Sequence, residues 1–281
     1  MTLRKLVMDD GVRIAVEEAG PRDAPVLLFA HEFGGDMRTW DRLVGRLSHR
    51  YRCLRFAARG FDPSECPSAL SSYGQDRATS DLLAVASMLA DRPVHLVGCS
   101  MGSFTALLAT LRSPECVRSL TLIGCSSGPA GAEARQHYRR ALKQEIALLE
   151  AEGGVGAVAW FAQDPAYRRP ASKCPDDWQA YLRRLERQAV RGALNTLRSL
   201  HWDRPALQDY EEALATLALP LLILHGLEDH PSVETTATYL AKRLTPARCI
   251  AVPETGHLVH IEEPDLVERE LRALLAAAEG P

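Results

Sequence analysis

The chain has 281 residues, 46% hydrophobic and 25% charged, with 33 basic against 36 acidic side chains for a net charge of −3. This is ordinary for a soluble globular protein, and with no basic stripe or acidic tail it argues against nucleic acid or an anionic membrane as partner. Residues 1–16 lack the apolar centre of a secretory leader and no run is apolar for long enough to cross a bilayer, so a cytoplasmic protein is expected. Seven cysteines, at 53, 66, 99, 116, 125, 174 and 249, are scattered without paired spacing. They argue for reduced thiols rather than a disulfide framework or a zinc site.

Residues 6–19 read as two short strands around the turn Asp9-Asp10-Gly11. Residues 25–30 form an unbroken apolar run that stops at a glycine-containing loop, as in a strand buried on both faces of a parallel sheet. Similar runs follow at 52–56, 94–97, 119–123, 220–224 and 249–252. Between them lie helical patterns at 40–47, 76–89, 103–111 and 264–278. Strand and helix in alternation imply an α/β class chain, with a mostly parallel central sheet flanked by helices.

Residues 126–218 break the alternation. Helical patterns at 132–152, 155–161 and 176–200 are separated by Gly153-Gly154 and a loop rich in Pro and Arg, and no strand-like run occurs among them. The segment reads as an inserted helical cap, which divides the chain into a core of 1–125 with 219–281 and a cap of 126–218.

Chemistry enters at Gly98-Cys99-Ser100-Met101-Gly102, with strand residues 94–97 before it and a helix after it. A serine on so sharp a turn needs small neighbours two residues to either side, and the following helix directs its free N–H groups at charge developing beside Ser100. A bare pentapeptide of this kind occurs by chance; the flanking strand and helix make it a candidate nucleophile. A serine hydroxyl needs a base. His257 follows the strand at 249–252, in the loop Pro253-Glu254-Thr255-Gly256-His257, where loops gather at the carboxyl ends of parallel strands. The other histidines read as structural or solvent-exposed, although His201 and His230 stand where they could line a pocket. The imidazole in turn needs a carboxylate. Residues 221–224 run into His225-Gly226-Leu227-Glu228-Asp229, where two acids compete; the G-x-x-D spacing and the shorter side chain favour Asp229.

On these residues the chain resembles the α/β-hydrolase superfamily over nearly its whole length. The order Ser100, Asp229, His257 is that family's order. His31-Glu32-Phe33-Gly34-Gly35 is similar to its H-G-x-G loop, residues 58–64 to its R-G-x-G-x-S segment, and Gly256-His257 with Glu263-Pro264 to its G-H-x-x-x-x-E-x-P ending. The resemblance implies an α/β-hydrolase fold with an oxyanion hole made by the backbone N–H groups of Phe33 and Met101. It departs at Glu32 and Asp62, which stand where glycine is usual. Glu32 is expected to point into solvent or to contact the mouth of the substrate site. Trp160 and His230 join it as candidate substrate contacts.

The activity implied is hydrolysis of a small ester or lactone through an acyl-enzyme, without metal or organic cofactor. The cap's apolar aromatics favour a small, largely uncharged substrate, and its arginines read as solvated helix faces. One alternative is hydrolysis of a carbon–carbon bond of the ring-fission, β-diketone type with the same triad. Another is a small-molecule receptor on the same fold. Haloalkane dehalogenases and epoxide hydrolases fit less well, because those relatives carry aspartate at the position of Ser100. Monomer and homodimer are both compatible with the sequence.

Overall fold

Strand β3 (Val26–Ala30) is five consecutive apolar residues, every one buried. That is the state of a strand covered on both faces. β5 (Val94–Cys99) and β7 (Leu221–Gly226) are equally buried, β6 (Val117–Ile123) exposes one residue, and β4 (Arg52–Phe56) is buried after its first. At one edge β1 (Thr2–Val7) alternates half-buried and exposed residues over most of its length beside the largely buried β2 (Arg13–Ala19), and β8 (Ala247–Val252) forms the other edge. The computed structural model describes residues 2–244 and 247–280.

The eight strands form one sheet in the order β1-β2-β4-β3-β5-β6-β7-β8. The pairs β1–β2 and β2–β4 are antiparallel, and the remaining pairs are parallel. Helices α1 (Asp41–Leu47), α2 (Gln75–Leu89), α3 (Met101–Arg112), α10 (Pro231–Arg243) and α12 (Pro264–Glu279) cover the sheet, and a single turn, α11 (Val259–Glu262), precedes the last of them. One face packs Leu28, Leu54, Leu96 and Leu120 against Phe104 and Val85. The other packs Leu27, Phe29, Val97 and Leu222 against Trp40, Leu43 and Leu271.

Between β6 and β7 the chain builds six helices and no strand: α4 (Ala132–Glu152), α5 (Gly154–Gln163), α6 (Arg168–Lys173), α7 (Pro175–Arg187), α8 (Val190–Thr196) and α9 (Glu211–Thr216). The stretch expected as a Pro- and Arg-rich loop is helix α6, since Pro170 falls in the first turn, where a missing N–H costs nothing. The helix expected over 176–200 is broken. Gln188 and Ala189 turn extended (ψ 149° and 103°), and after α8 the chain passes into a π-helical turn at Leu197–His201. α10 is absent from the helical patterns read in the sequence. No helix among the described residues is long and apolar enough to cross a membrane.

Candidate active site

The parallel strands end on one edge of the sheet, and the loops there carry every proposed catalytic residue. Ser100 lies between β5 and α3 at φ +50°, ψ −111°, a backbone conformation that costs roughly 1–3 kcal/mol for a residue with a side chain. Close packing enforces it. A Cβ at Gly98 would sit 2.5 Å from the Gly102 carbonyl oxygen, and one at Gly102 would sit 2.2 Å from that of Ala30. The Ser100 N–H donates to the Ile123 carbonyl at 2.8 Å, tying the turn to β6. Its hydroxyl makes no capping bond to α3, so the helix does not use it.

The buried His257 imidazole faces the Asp229 carboxylate, with Nδ1 2.8 Å from Oδ1 and 2.9 Å from Oδ2. A carboxylate accepts only, so Nδ1 carries the proton and Nε2 presents a lone pair. Asp229 Oδ1 also accepts the His230 N–H at 2.6 Å. The rival acid Glu228 turns outward and pairs with Arg169. Burial opposes a charge on His257, but the Asp229 charge and hydrogen bond outweigh it and hold the imidazole above its ordinary value. The imidazole and the serine turn share a neighbour. Gly124, next to the Ile123 that binds Ser100, lies so close that a Cβ there would come within 3.3 Å of His257 Cε1 and Nδ1.

Glu262 holds the histidine loop from inside, accepting the N–H groups of Gly256 at 2.9 Å and Leu258 at 3.1 Å. These residues flank His257, so Glu262 sets its backbone. Burial pushes the Glu262 carboxyl up to about 7. Writing the ending with Glu263-Pro264 misplaces the acid, because Glu263 pairs with Lys173 at the surface. Counting five residues on from His257, past the four intervening positions of the pattern, reaches Glu262 and would have found it.

Phe33 lies in the loop after β3. His31 steadies that loop as a neutral ring, with Nδ1 2.8 Å from the Glu32 carbonyl and Nε2 accepting the Ala58 N–H at 2.9 Å. Burial pulls the His31 value down, in keeping with the neutral ring. Met101 is the first residue of α3, so its N–H has no acceptor within the helix. Among the described residues the Phe33 N–H has no backbone acceptor either.

Glu32 requires a correction. It does not point into solvent: it is 1% exposed, with its carboxylate folded over Gly35. The small glycine leaves that space, and Thr39 Oγ1 fills the polar need from beyond, donating to Glu32 Oε1 at 2.9 Å and lying 2.7 Å from His260 Nε2. Among the described residues Glu32 Oε2 and His260 Nδ1 have no hydrogen-bond partner, although His260 Nε2 stands 3.8 Å from Oε2. Burial raises Glu32 to about 7 and lowers His260 to about 3. Glu32, His260 and the Cys99 thiol bring potential ligand atoms within 4.8 Å of one another. Holding a cation there would require a thiolate, yet burial pushes the Cys99 thiol well above its ordinary value. As it stands the cluster is a hydrogen-bonded support beneath the serine turn.

Trp160 is half-buried against the aromatic cluster of Phe161, Tyr167, Trp178 and Tyr181 in the inserted helices. That cluster reaches the histidine loop, where the Tyr167 ring lies 5.4 Å from the His257 ring and the Ala166 carbonyl accepts the His257 N–H at 2.9 Å. His230, its ring 6.1 Å from that of His257, is half-exposed and pairs with Asp164 at 3.1 Å.

The sequence matches the family described as alpha/beta hydrolase fold over residues 25–264. It is similar to 3-oxoadipate enol-lactonase 1 of Acinetobacter baylyi, at 25% identity over 262 residues covering 91% of this chain and 90% of the relative. Among solved structures it resembles a hydrolase from Pseudomonas aeruginosa with a TM-score of 0.85 at 22% identity, covering 98% of each chain. It also resembles an enol-lactonase from Burkholderia xenovorans with a TM-score of 0.83 at 18% identity, covering 97% of this chain and 99% of that one. The eight-stranded, mostly parallel sheet and the match across most of its length agree: the chain belongs to the alpha/beta hydrolase fold family, and as an enzyme it is a hydrolase.

Proposed function

We infer that the protein is a serine hydrolase of small esters or lactones, with Ser100 as nucleophile, His257 as base and Asp229 as the acid that orients it. The observation that carries this reading is the buried His257–Asp229 hydrogen bond beside the strained Ser100 turn. His257 Nε2 takes the hydroxyl proton as Ser100 Oγ attacks the substrate carbonyl. The resulting oxyanion is held by the N–H groups of Phe33 and Met101, each such donor being worth about 3–4 kcal/mol of barrier. Collapse breaks the carbon–oxygen bond, and the departing alkoxide takes the proton from His257. Water then gives a proton to the same base and attacks the acyl-serine, and as the Ser100 Oγ–carbon bond breaks His257 returns that proton to Oγ, releasing the acid and restoring the serine hydroxyl. In a lactone both ends stay in one product. The proton count closes with these residues and water, so the reaction calls on no cofactor. The inserted helices act as a cap over this centre, and the similarity to two enol-lactonases supports a lactone or an activated ester as substrate.

A fluorophosphonate probe and a panel of p-nitrophenyl esters and small lactones test this reading. Ser100 is expected to be the labelled residue, with Ser100→Ala losing both label and turnover. Absence of label and of turnover in the wild type would refute it.

A further inference from the structure

Arg204 lies between α8 and α9 and is 5% exposed, yet no carboxylate pairs with it among the described residues. Its Nη1 donates to Ser126 Oγ at 3.3 Å, the Tyr138 hydroxyl lies within reach of the same guanidinium, and among the described residues its Nε and Nη2 are buried without a partner of good hydrogen-bonding geometry. The Phe104 ring face under its Cζ and the nearby hydroxyls offset only part of the several kcal/mol that burying a guanidinium without a carboxylate costs. A second idle group lies beside it. His201 is buried, with Nδ1 3.4 Å from the Tyr138 hydroxyl and Nε2 unpartnered. Burial, and then the Arg204 charge, hold that imidazole well below its ordinary value. With Tyr138 assigned as the donor to Nδ1, the neutral ring carries its proton on Nε2 and offers a second buried donor.

The position matches the proposed centre along three routes. Arg204 Cζ stands 5.1 Å from the Phe104 ring centroid, and Phe104 is one helical turn beyond Ser100 on α3, its N–H donating to the Ser100 carbonyl. Ser126 follows β6 by three residues, just past the Ile123 that binds the Ser100 N–H. The His201 ring packs edge-on against Phe33 at 5.2 Å. Ser126 and Tyr138 are only half-buried, so the cluster is not sealed on that side.

We propose that Arg204, with Ser126, Tyr138 and His201, is a subsite for the carboxylate of an anionic substrate, an ester or lactone that carries a second, free carboxyl group. A carboxylate accepts from the guanidinium in the two-pronged geometry that suits it best and satisfies donors that otherwise have none. The subsite amends the expectation of an uncharged substrate, and it rests on Ser100 being the nucleophile.

The test compares the mono-p-nitrophenyl ester of glutaric acid with the p-nitrophenyl ester of pentanoic acid, which has the same chain length and no charge. In the wild type kcat/KM is expected to favour the glutarate ester roughly ten-fold or more, the scale of one charged hydrogen bond. In Arg204→Met that ratio falls towards one, while Arg204→Lys keeps part of it. A wild-type ratio at or below one overturns the subsite, as does a ratio that Arg204→Met leaves unchanged. Should Arg204→Met fail to fold, the wild type decides: glutarate must slow fluorophosphonate labelling of Ser100 where pentanamide does not, and equal protection overturns the proposal. Labelling with a ratio of one removes the subsite alone. No labelling and no turnover of either ester removes the serine mechanism with it.

Discussion

Two buried arginines show how differently the sheet core and the seam under the inserted helices use charge. In the core, Arg59 is held by two carboxylates: Nε and Nη2 bind Asp81 at 2.9 and 3.0 Å, and Nη1 binds Asp10 at 2.6 Å. In the seam, Arg204 is as deeply buried and meets hydroxyls and the Phe104 ring but no carboxylate among the described residues. Desolvating a guanidinium is tolerable where its donors are met inside the protein, and Arg59 meets that condition. Arg204 does not, and its unmet donors lie next to the strained Ser100 turn. Arg59 has its carboxylate partners built in, whereas Arg204 keeps donors open.

The largest expected effects lie in the catalytic residues. Ser100→Ala should lower kcat by about 10⁴-fold or more, and Asp229→Asn by about 10⁴-fold, measured on whichever activated ester the panel identifies. The pH profile gives Asp229 a sharper test. His257 must be neutral to act as base, and Asp229 holds its titration above the ordinary value. The wild-type kcat/KM should therefore fall as pH drops through that raised value. In Asp229→Asn the opposing charge is gone, so the residual activity should persist to lower pH. An acid limb that does not move would remove Asp229 as the orienting acid.

The centre of the sheet was legible in the sequence because its strands are buried and largely apolar on both faces, and residues 25–30 and 221–224 read as strands with no help from anything distant. The serine turn was legible for a similar reason, since glycines at 98 and 102 are a local requirement of that geometry. Helix α10 was missed because its pattern is diluted by threonines and by charge, with only Val233, Thr236, Ala237 and Leu240 buried. The fate of Glu32 could not be read, because whether a carboxylate turns outward or over Gly35 depends on Thr39 and His260, the latter more than two hundred residues away. Arg204 escaped notice for the same reason: an arginine looks solvated in sequence until the partners it lacks can be counted in space.

Stability measurements can break the contrast between core and seam. Arg59→Leu leaves Asp81 buried without its cation, a change that typically costs about 3–5 kcal/mol. Its midpoint in urea should drop accordingly. Arg204→Met removes a buried charge and leaves no carboxylate orphaned, only the Ser126 and Tyr138 hydroxyls and the Phe104 ring face, which the methionine chain can cover. Its midpoint should therefore change by less than about 1 kcal/mol equivalent, or rise. Equal losses in the two variants would mean that Arg204 is a structural residue like Arg59.

The smallest effect concerns Glu32, whose folded value of about 7 exceeds the ordinary 4.5. The folded protein therefore holds a proton that the unfolded chain has released, over the window between those two values. Stability linked to this group is fully present below about 4.5 and declines as pH rises towards 7. Glu32→Gln has the same shape and no titration, so it should be insensitive to this term. Relative to wild type, the variant's unfolding free energy should gain about 2–3 kcal/mol on moving from pH 4.5 to pH 7.5. Glu32 also adds to the charge that raises His257, so the same variant should extend the acid limb of kcat/KM to slightly lower pH. A stability difference that stays flat across this window would mean that Glu32 titrates near its ordinary value. Its carboxylate would then have to reach water that the packing over Gly35 excludes.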